Sequence, residues 1–464
     1  MEKYILKYLQ DTTQDEWRKK YYDYLKLHLD SMLWSFGSHV AAGNYERSVE
    51  HSENYVIPRK DTLTAIKGIL GRAIDRKFFK QKRLQKQGDI QPKKAIQSTV
   101  KDSHKVFFAY HLPWLIPDET VRSLNNEGIE IDFISDSSKP WYSSVTRLLN
   151  WYRSIQLVPF NEIIKDKYVG ELKELYNQVL EDFRKTDYEA VFVYSGVVFE
   201  EKIFIDIFRD LNRVSMEIPH GYLGYTSIVE IDRVDYYLLY GERVRELSIK
   251  AGFDPKKLCV AGGCKYTKSL DEISSLRNSL DDVLVLTSVT SFDEQYYWDY
   301  DQFTISDRSL LISYLYSIEK ILKSNGVKHA RLRPHPHVSK EWIMKYVDAE
   351  FYELDNQWNL EESLAKATCC IGQYTTVVFE AISQGVAYYV YEPGDGKYTM
   401  LKEKLFPPFD GSDPDLRIAN SEEELDEMIK THYSPAADLG RQYMEPFKPE
   451  VIREILEKER EKRK

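Results

Sequence analysis

The sequence predicts an α/β protein of two doubly wound lobes, each a parallel sheet wrapped by helices, behind a mainly helical N-terminal extension. Three observations lead there. Short apolar runs alternate with amphipathic stretches, the pattern of strands and crossover helices. The alternation restarts after a glycine-bearing segment, VAGGCKYTK, at Val260 to Lys268. The first hundred or so residues carry helical spacing and no strand pattern. A chain of 464 residues, 42 % hydrophobic and 30 % charged, has enough apolar material for two large cores and too much for a disordered polymer.

In the extension, Tyr4, Ile5, Tyr8, Leu9, Trp17 and Tyr21 recur at spacings of three and four. Residues 58–94 are rich in Lys and Arg. There Ile66, Ile69, Leu70, Ala73 and Ile74 share one helix face opposite Arg72, Arg76 and Lys77. Such a basic amphipathic helix either packs on the body by its apolar side or meets an anionic membrane surface. A linker with Gly88 and Pro92 follows, so the predicted boundaries are 1–104 for the extension, 105–270 for the first lobe and 271–464 for the second.

The predicted strands of the first lobe are VFFAYH from Val106, IEIDFIS from Ile129, EAVFVYS from Glu189, VSMEIPHG from Val214 and DYYLLYG from Asp235. Those of the second are DDVLVLTS from Asp281, HARLRPHPH from His329, ATCCIG from Ala367 and VAYYVYEP from Val386. Two such lobes in series expose the C-terminal ends of their strands to a cleft, where function is expected.

A formal net charge of −10 argues against sequence-independent nucleic-acid binding, which needs a dominant positive field. The four cysteines lack paired CxxC spacing and read as reduced core thiols. The N-terminus lacks the apolar stretch of a signal peptide, and no segment approaches the roughly 20 apolar residues needed to cross a bilayer. The expected location is the cytoplasm, peripheral to the membrane if the basic helix binds it.

Two segments of the second lobe concentrate anion-binding chemistry. In RLRPHPH, Arg333, His335 and His337 follow a strand and are stiffened by Pro334 and Pro336. In IGQYTTVVFEAISQG, a buried strand ends at Gly372 and Thr375 and Thr376 open a helix, where free N–H groups and hydroxyls suit a phosphate. Glu380 lies near the same mouth, in reach of ribose hydroxyls, and Ser288 ends the lobe's first strand. In the first lobe His220, in IPHGYLGYT, and His111, in FFAYHLPW, also follow strands.

The order of these PHG, AGG, VLVLTS, RPHPH and TTVVFEAISQG segments resembles bacterial GT-B glycosyltransferases with two Rossmann-like lobes. The nearest in pattern are polysialyltransferases, Kdo transferases and CDP-glycerol glycerophosphotransferases of surface-polysaccharide synthesis. The resemblance covers residues 105–430. It implies that His335 with Pro336, and Thr375 with Thr376, grip the phosphate of a cytidine nucleotide donor; Thr-Thr stands where those enzymes often have Ser-Ser. It also implies a base or phosphate contact for His220.

The expected activity is metal-independent inverting transfer, without a cofactor, from a CMP-activated acidic sugar of the sialic-acid or Kdo kind to a surface glycan or lipid-linked acceptor. The donor site would comprise Arg333, His335, Pro336, His337, Thr375, Thr376, Glu380 and Ser288. For the base, His220, His111, Asp136 and Glu200 stay open, since no Asp-Gly or Glu-Gly motif occurs in the expected place. Asp299 with Asp301 and Asp413 with Asp415 have Asp-x-Asp spacing in unsuitable surroundings, and GDGKYT lacks P-loop spacing. The alternatives are a CDP-glycerol glycerophosphotransferase, a UDP-GlcNAc 2-epimerase-like enzyme and a non-catalytic assembly subunit.

Overall fold

The computed structural model describes residues 9, 11–26, 28–29, 102–110, 116–156, 158–194, 196, 198–218, 233–264, 273, 275–287, 308–335, 340–393, 408–409 and 411–463. The basic segment 58–94 lies outside them.

The first sheet consists of β1 (His104–Phe108), β2 (Ile129–Phe133), β3 (Ala190–Val193), β4 (Val214–Glu217), β5 (Tyr236–Leu239) and β6 (Leu258–Val260), in the order β2-β1-β3-β4-β5-β6. The second consists of β7 (Val283–Leu286), β8 (Ala330–Arg333), β9 (Tyr352–Leu354), β10 (Cys369–Gly372), β11 (Ala387–Tyr391) and β12 (Ile418–Ala419), in the order β12-β11-β10-β7-β8-β9. These are the two Rossmann-like α/β sheets that the sequence predicts.

Pairing is parallel, with Val106 opposite both Ile131 and Ala190 in the first sheet, and Val285 opposite both Leu332 and Ile371 in the second. Every residue of β3, β7, β10 and β11 is buried, as expected of parallel strands covered on both faces. Counted from β7 as first, the second sheet has the strand order 3-2-1-4-5-6 of nucleotide-binding folds, which reverses direction between β7 and β10.

Packing divides the chain into two units, Met1–Glu217 with Arg453–Lys464, and Ile218–Ile452. In the first, Phe107 on β1 sits among Trp141, Phe183 and Phe204, with ring centroids 5.1, 4.9 and 4.7 Å away. The N-terminal helix Glu16–Tyr24 is capped by Asp15, which accepts the Arg18 N–H at 2.7 Å. It buries Tyr21, Tyr22 and Tyr24, and Tyr21 Oη donates to the Ile163 carbonyl at 2.6 Å. From the C-terminal helix Pro449–Lys462, Arg460 Nε donates to Glu189 at 2.8 Å.

In the second unit, segment 443–448 runs against the loops that follow β5 and β6. Gly263 N–H donates to the Glu445 carbonyl at 3.0 Å, Glu445 N–H to the Tyr240 carbonyl at 2.8 Å and Lys448 N–H to the Ala261 carbonyl at 2.7 Å. Gly262, at φ 74°, allows this approach, because a Cβ there would overlap the Pro446 carbonyl. The core beneath the second sheet joins Val285, Leu315, Ile318, Leu332, Ile371 and Met428.

Among the described residues no helix is long and apolar enough to cross a membrane. All four cysteines are free thiols. Burial pushes the Cys369 thiol up to about 12, which removes its nucleophilicity.

Candidate functional site

In an open parallel sheet the strand ends around the reversal point form the usual ligand site. Here these are the C-terminal ends of β7, β8, β10 and β11. Past β7 stands Thr287, whose Oγ1 accepts the His335 N–H at 3.1 Å and so ties the exit of β8 to the exit of β7. His335 is half-buried.

Past β10 the chain turns through Gly372, Gln373, Tyr374, Thr375 and Thr376 into the helix Val377–Ser383. Gly372 is required by its surroundings: a Cβ there would overlap the Tyr388 hydroxyl and come within 3.1 Å of Leu286 Cβ. Tyr388 Oη donates to the Gln373 carbonyl at 3.0 Å, and the Tyr374 N–H donates to Glu392 Oε1 at 2.6 Å. The turn is therefore pinned from β11 at two successive residues.

Thr375 and Thr376 are half-buried. Thr376 is the N-cap in helical conformation, φ −56° and ψ −21°, and makes no side-chain capping bond. Glu380 is the fourth residue of the helix and is partly exposed.

Arg333 is anchored. Its Nη1 donates to Asp355 Oδ2 at 2.8 Å, to Ser363 Oγ at 3.0 Å and to the Gln357 carbonyl at 3.1 Å. The same Asp355 accepts from Arg331 Nη1 at 2.8 Å, while Arg331 Nε reaches Asp282 at 2.6 Å. Burial alone would raise the Asp355 carboxyl, but Ser363, Arg333 and Arg331 outweigh it and hold it below the usual range. This cluster fixes β8 and with it the exit toward His335.

Glu392, directly after β11, is a second carboxyl at these strand ends and is half-buried. Burial pushes it up to about 8, against the opposing pull of the Tyr374 N–H and the Gln373 side chain. Sequence reasoning passed over Glu392 and the buried Gln373; the only signal was a Glu closing the apolar run AYYVY.

In the first sheet, Asp136 follows β2 and closes a local turn, accepting from Ser138 N–H at 3.0 Å and Ser138 Oγ at 2.6 Å. Glu200 is the second residue of the helix Phe199–Asp210 and is 7 % exposed. Sequence reasoning overlooked its neighbours Glu201 and Glu217. Glu217 ends β4 opposite Val193, is 6 % exposed, and is pushed up to about 8 by burial and then by the Glu201 charge. An acid inside the apolar string VSMEI was the available sign.

His111, His220, Ser288, Pro336 and His337 lie outside the described residues, as do Asp299 and Asp301. Asp413 is occupied elsewhere, by the Tyr443 hydroxyl at 2.6 Å and the Asp415 N–H at 3.0 Å.

No family model and no curated protein matches the sequence. The chain is similar to several solved structures. One, from Listeria monocytogenes, is described as a candidate UDP-N-acetylglucosamine 2-epimerase; it is 14 % identical, with 77 % of this chain and 98 % of that one covered and a TM-score of 0.48. The UDP-GlcNAc 2-epimerase of Neisseria meningitidis bound to UDP-GlcNAc is 11 % identical, covering 77 % and 100 %, with a TM-score of 0.42. MurG of Acinetobacter baumannii is 13 % identical over 77 % and 99 %, with a TM-score of 0.44.

Proposed function

We propose that this protein is a glycosyltransferase whose second sheet binds the phosphate of a nucleotide-activated sugar at the exits of β7, β8 and β10. The observation that carries this reading is the strand order β10-β7-β8, which sets the His335 exit and the Gln373–Thr376 turn on either side of β7 at the reversal point. In this reading His335 supplies an imidazole and Thr375 and Thr376 two hydroxyls, a set suited to an anion. Arg333, Ser288, Pro336 and His337 complete the proposed site, with Glu380 for the ribose.

The donor is a CMP-activated acidic sugar, on the resemblance of RPHPH and TTVVFEAISQG to cytidine-nucleotide enzymes. The acceptor is a surface glycan, and the base is drawn from His220, His111, Asp136 and Glu200. The transfer needs no metal in this reading: the leaving phosphate's charge is offset by hydrogen-bond donors preorganised at the strand ends.

The test is a thermal-shift panel of CMP, CDP, UMP, UDP, GDP and ADP without metal, since a ligand of the native state alone raises its melting temperature. A selective shift with CMP that is lost in His335→Ala supports the reading. A shift with CDP alone favours a glycerophosphate donor, one with UDP a UDP-sugar enzyme, and none sinks nucleotide binding.

A further inference from the structure

The turn that carries Thr375 and Thr376 contains one peptide, between Gln373 and Tyr374, that is gripped on both its polar atoms. Tyr388 Oη donates to its carbonyl oxygen at 3.0 Å, and its N–H donates to Glu392 Oε1 at 2.6 Å. The Gln373 side chain, itself 2 % exposed, bonds to the same carboxyl. Both grips come from one neighbour, since β11 pairs in parallel with β10 and sets Val390 opposite Gly372. Tyr388 and Glu392 flank Val390 at two residues on either side, a spacing that turns their side chains the same way.

The grip constrains the sequence around it. Tyr388 is fully buried, at a place where Phe would fill the same space with no polar atom to satisfy. Its hydroxyl stands so close to Gly372 that a Cβ there would overlap it, so the buried strand has to end in glycine, a residue that weakens strands. Tyr with Gly differs from the plainer pair Phe with Ala by one hydrogen bond, and that bond falls on the Gln373 carbonyl. A peptide is a rigid plane, so fixing its oxygen and its N–H fixes the direction in which the chain leaves it. The chain leaves this one directly toward Thr375 and Thr376, both half-buried.

We propose that Tyr388 and Glu392 are positioning residues of the anion site: by holding the Gln373–Tyr374 peptide between them, they aim the Thr375 and Thr376 hydroxyls at a phosphate. This rests on the nucleotide reading of the same strand ends. It adds to that site two residues that act through the turn and not through the ligand. Phenylalanine at 388 keeps the ring and frees the carbonyl. Alanine at 392 removes the acceptor of the Tyr374 N–H.

The experiment measures the affinity of CMP, CDP and UDP by calorimetry for the wild type, Tyr388→Phe, Glu392→Ala and the double variant, at a temperature below all their melting transitions. Arg460→Ala, which loosens the other unit, is the control for a loss of stability alone. The expected result is that each single variant weakens the nucleotide bound by the wild type about tenfold, the scale of one lost hydrogen bond, while Arg460→Ala leaves it unchanged. Because both side chains hold the same peptide, the double variant should lose less than the two single losses combined.

A folded Tyr388→Phe or Glu392→Ala that binds as tightly as the wild type would overturn the proposal and leave the nucleotide reading standing. So would an equal loss in Arg460→Ala, which would trace the effect to stability. Absence of binding of all three nucleotides by the wild type would overturn both.

Discussion

Arg460 and Glu189, 271 residues apart, form a two-pronged ion pair in which Nε and Nη2 each meet one carboxylate oxygen. The Glu189 carboxylate also faces His104 Nδ1 at 3.2 Å. Burial would raise its pKa, but Arg460 and His104 outweigh that and lower it to about 2.

A group lowered in this way stabilises the fold above its unfolded pKa near 4.5, and the contribution fades as pH falls toward 2. Arg460→Ala should cost about 2 kcal/mol at pH 7 and less at pH 3, as read from urea denaturation at the two pH values. An equal cost at both would show that the pair's charge is not what matters.

The space around Gly372 gives a second test. Gly372→Ala forces its methyl group into the Tyr388 hydroxyl and should destabilise by about 2 kcal/mol, the scale of an overpacked core. Tyr388→Phe removes the obstructing oxygen, so the double variant should be more stable than additivity predicts. Denaturant midpoints of the four proteins in the cycle give the coupling.

Asp355 carries two guanidinium groups, and its side chain is fully buried. Asp355→Ala leaves Arg333 with only neutral acceptors and Arg331 with Asp282, and should cost about 3 kcal/mol, as expected when one partner of a buried pair is removed. Asp355→Asn, which keeps one acceptor oxygen, should cost less. Thermal unfolding of the two variants orders them.

Glu217 makes a prediction of opposite sign. Its carboxyl is raised to about 8 by burial and by Glu201, so the folded state holds a proton that the unfolded chain releases near 4.5. The associated stability is fully present below pH 4.5 and is lost as pH rises through 8. Glu217→Gln, which imitates the protonated acid, should therefore match the wild type at pH 5 and exceed it at pH 9. Melting temperatures at those two values decide it, and a variant weaker at both would rule out a neutral Glu217.

The buried strands were legible because parallel strands covered on both faces leave continuous apolar runs, as in AVFV, VLVL and AYYVY. The edge strands β6, β9 and β12 were not. They have three, three and two residues and carry too little pattern to register. The turn after β10 was legible from its glycine and threonines. Its support was hidden, because Tyr388, Glu392 and Tyr374 meet only through the pairing of β10 with β11, a fact of topology. Arg333 likewise announced a cation, while the Asp355 that holds it stands 22 residues further on, in β9's exit.

The grouping of residues 453–464 with residues 1–217 bears on how the molecule is made. Synthesis runs from the N-terminus, and domains usually fold as they emerge. The first unit cannot do so fully, because the arginine that satisfies Glu189 is translated after the entire second unit. Until then the nascent chain carries a buried-type carboxylate without its arginine, and the last turns of helix to be made are the clasp that completes the first sheet's flank.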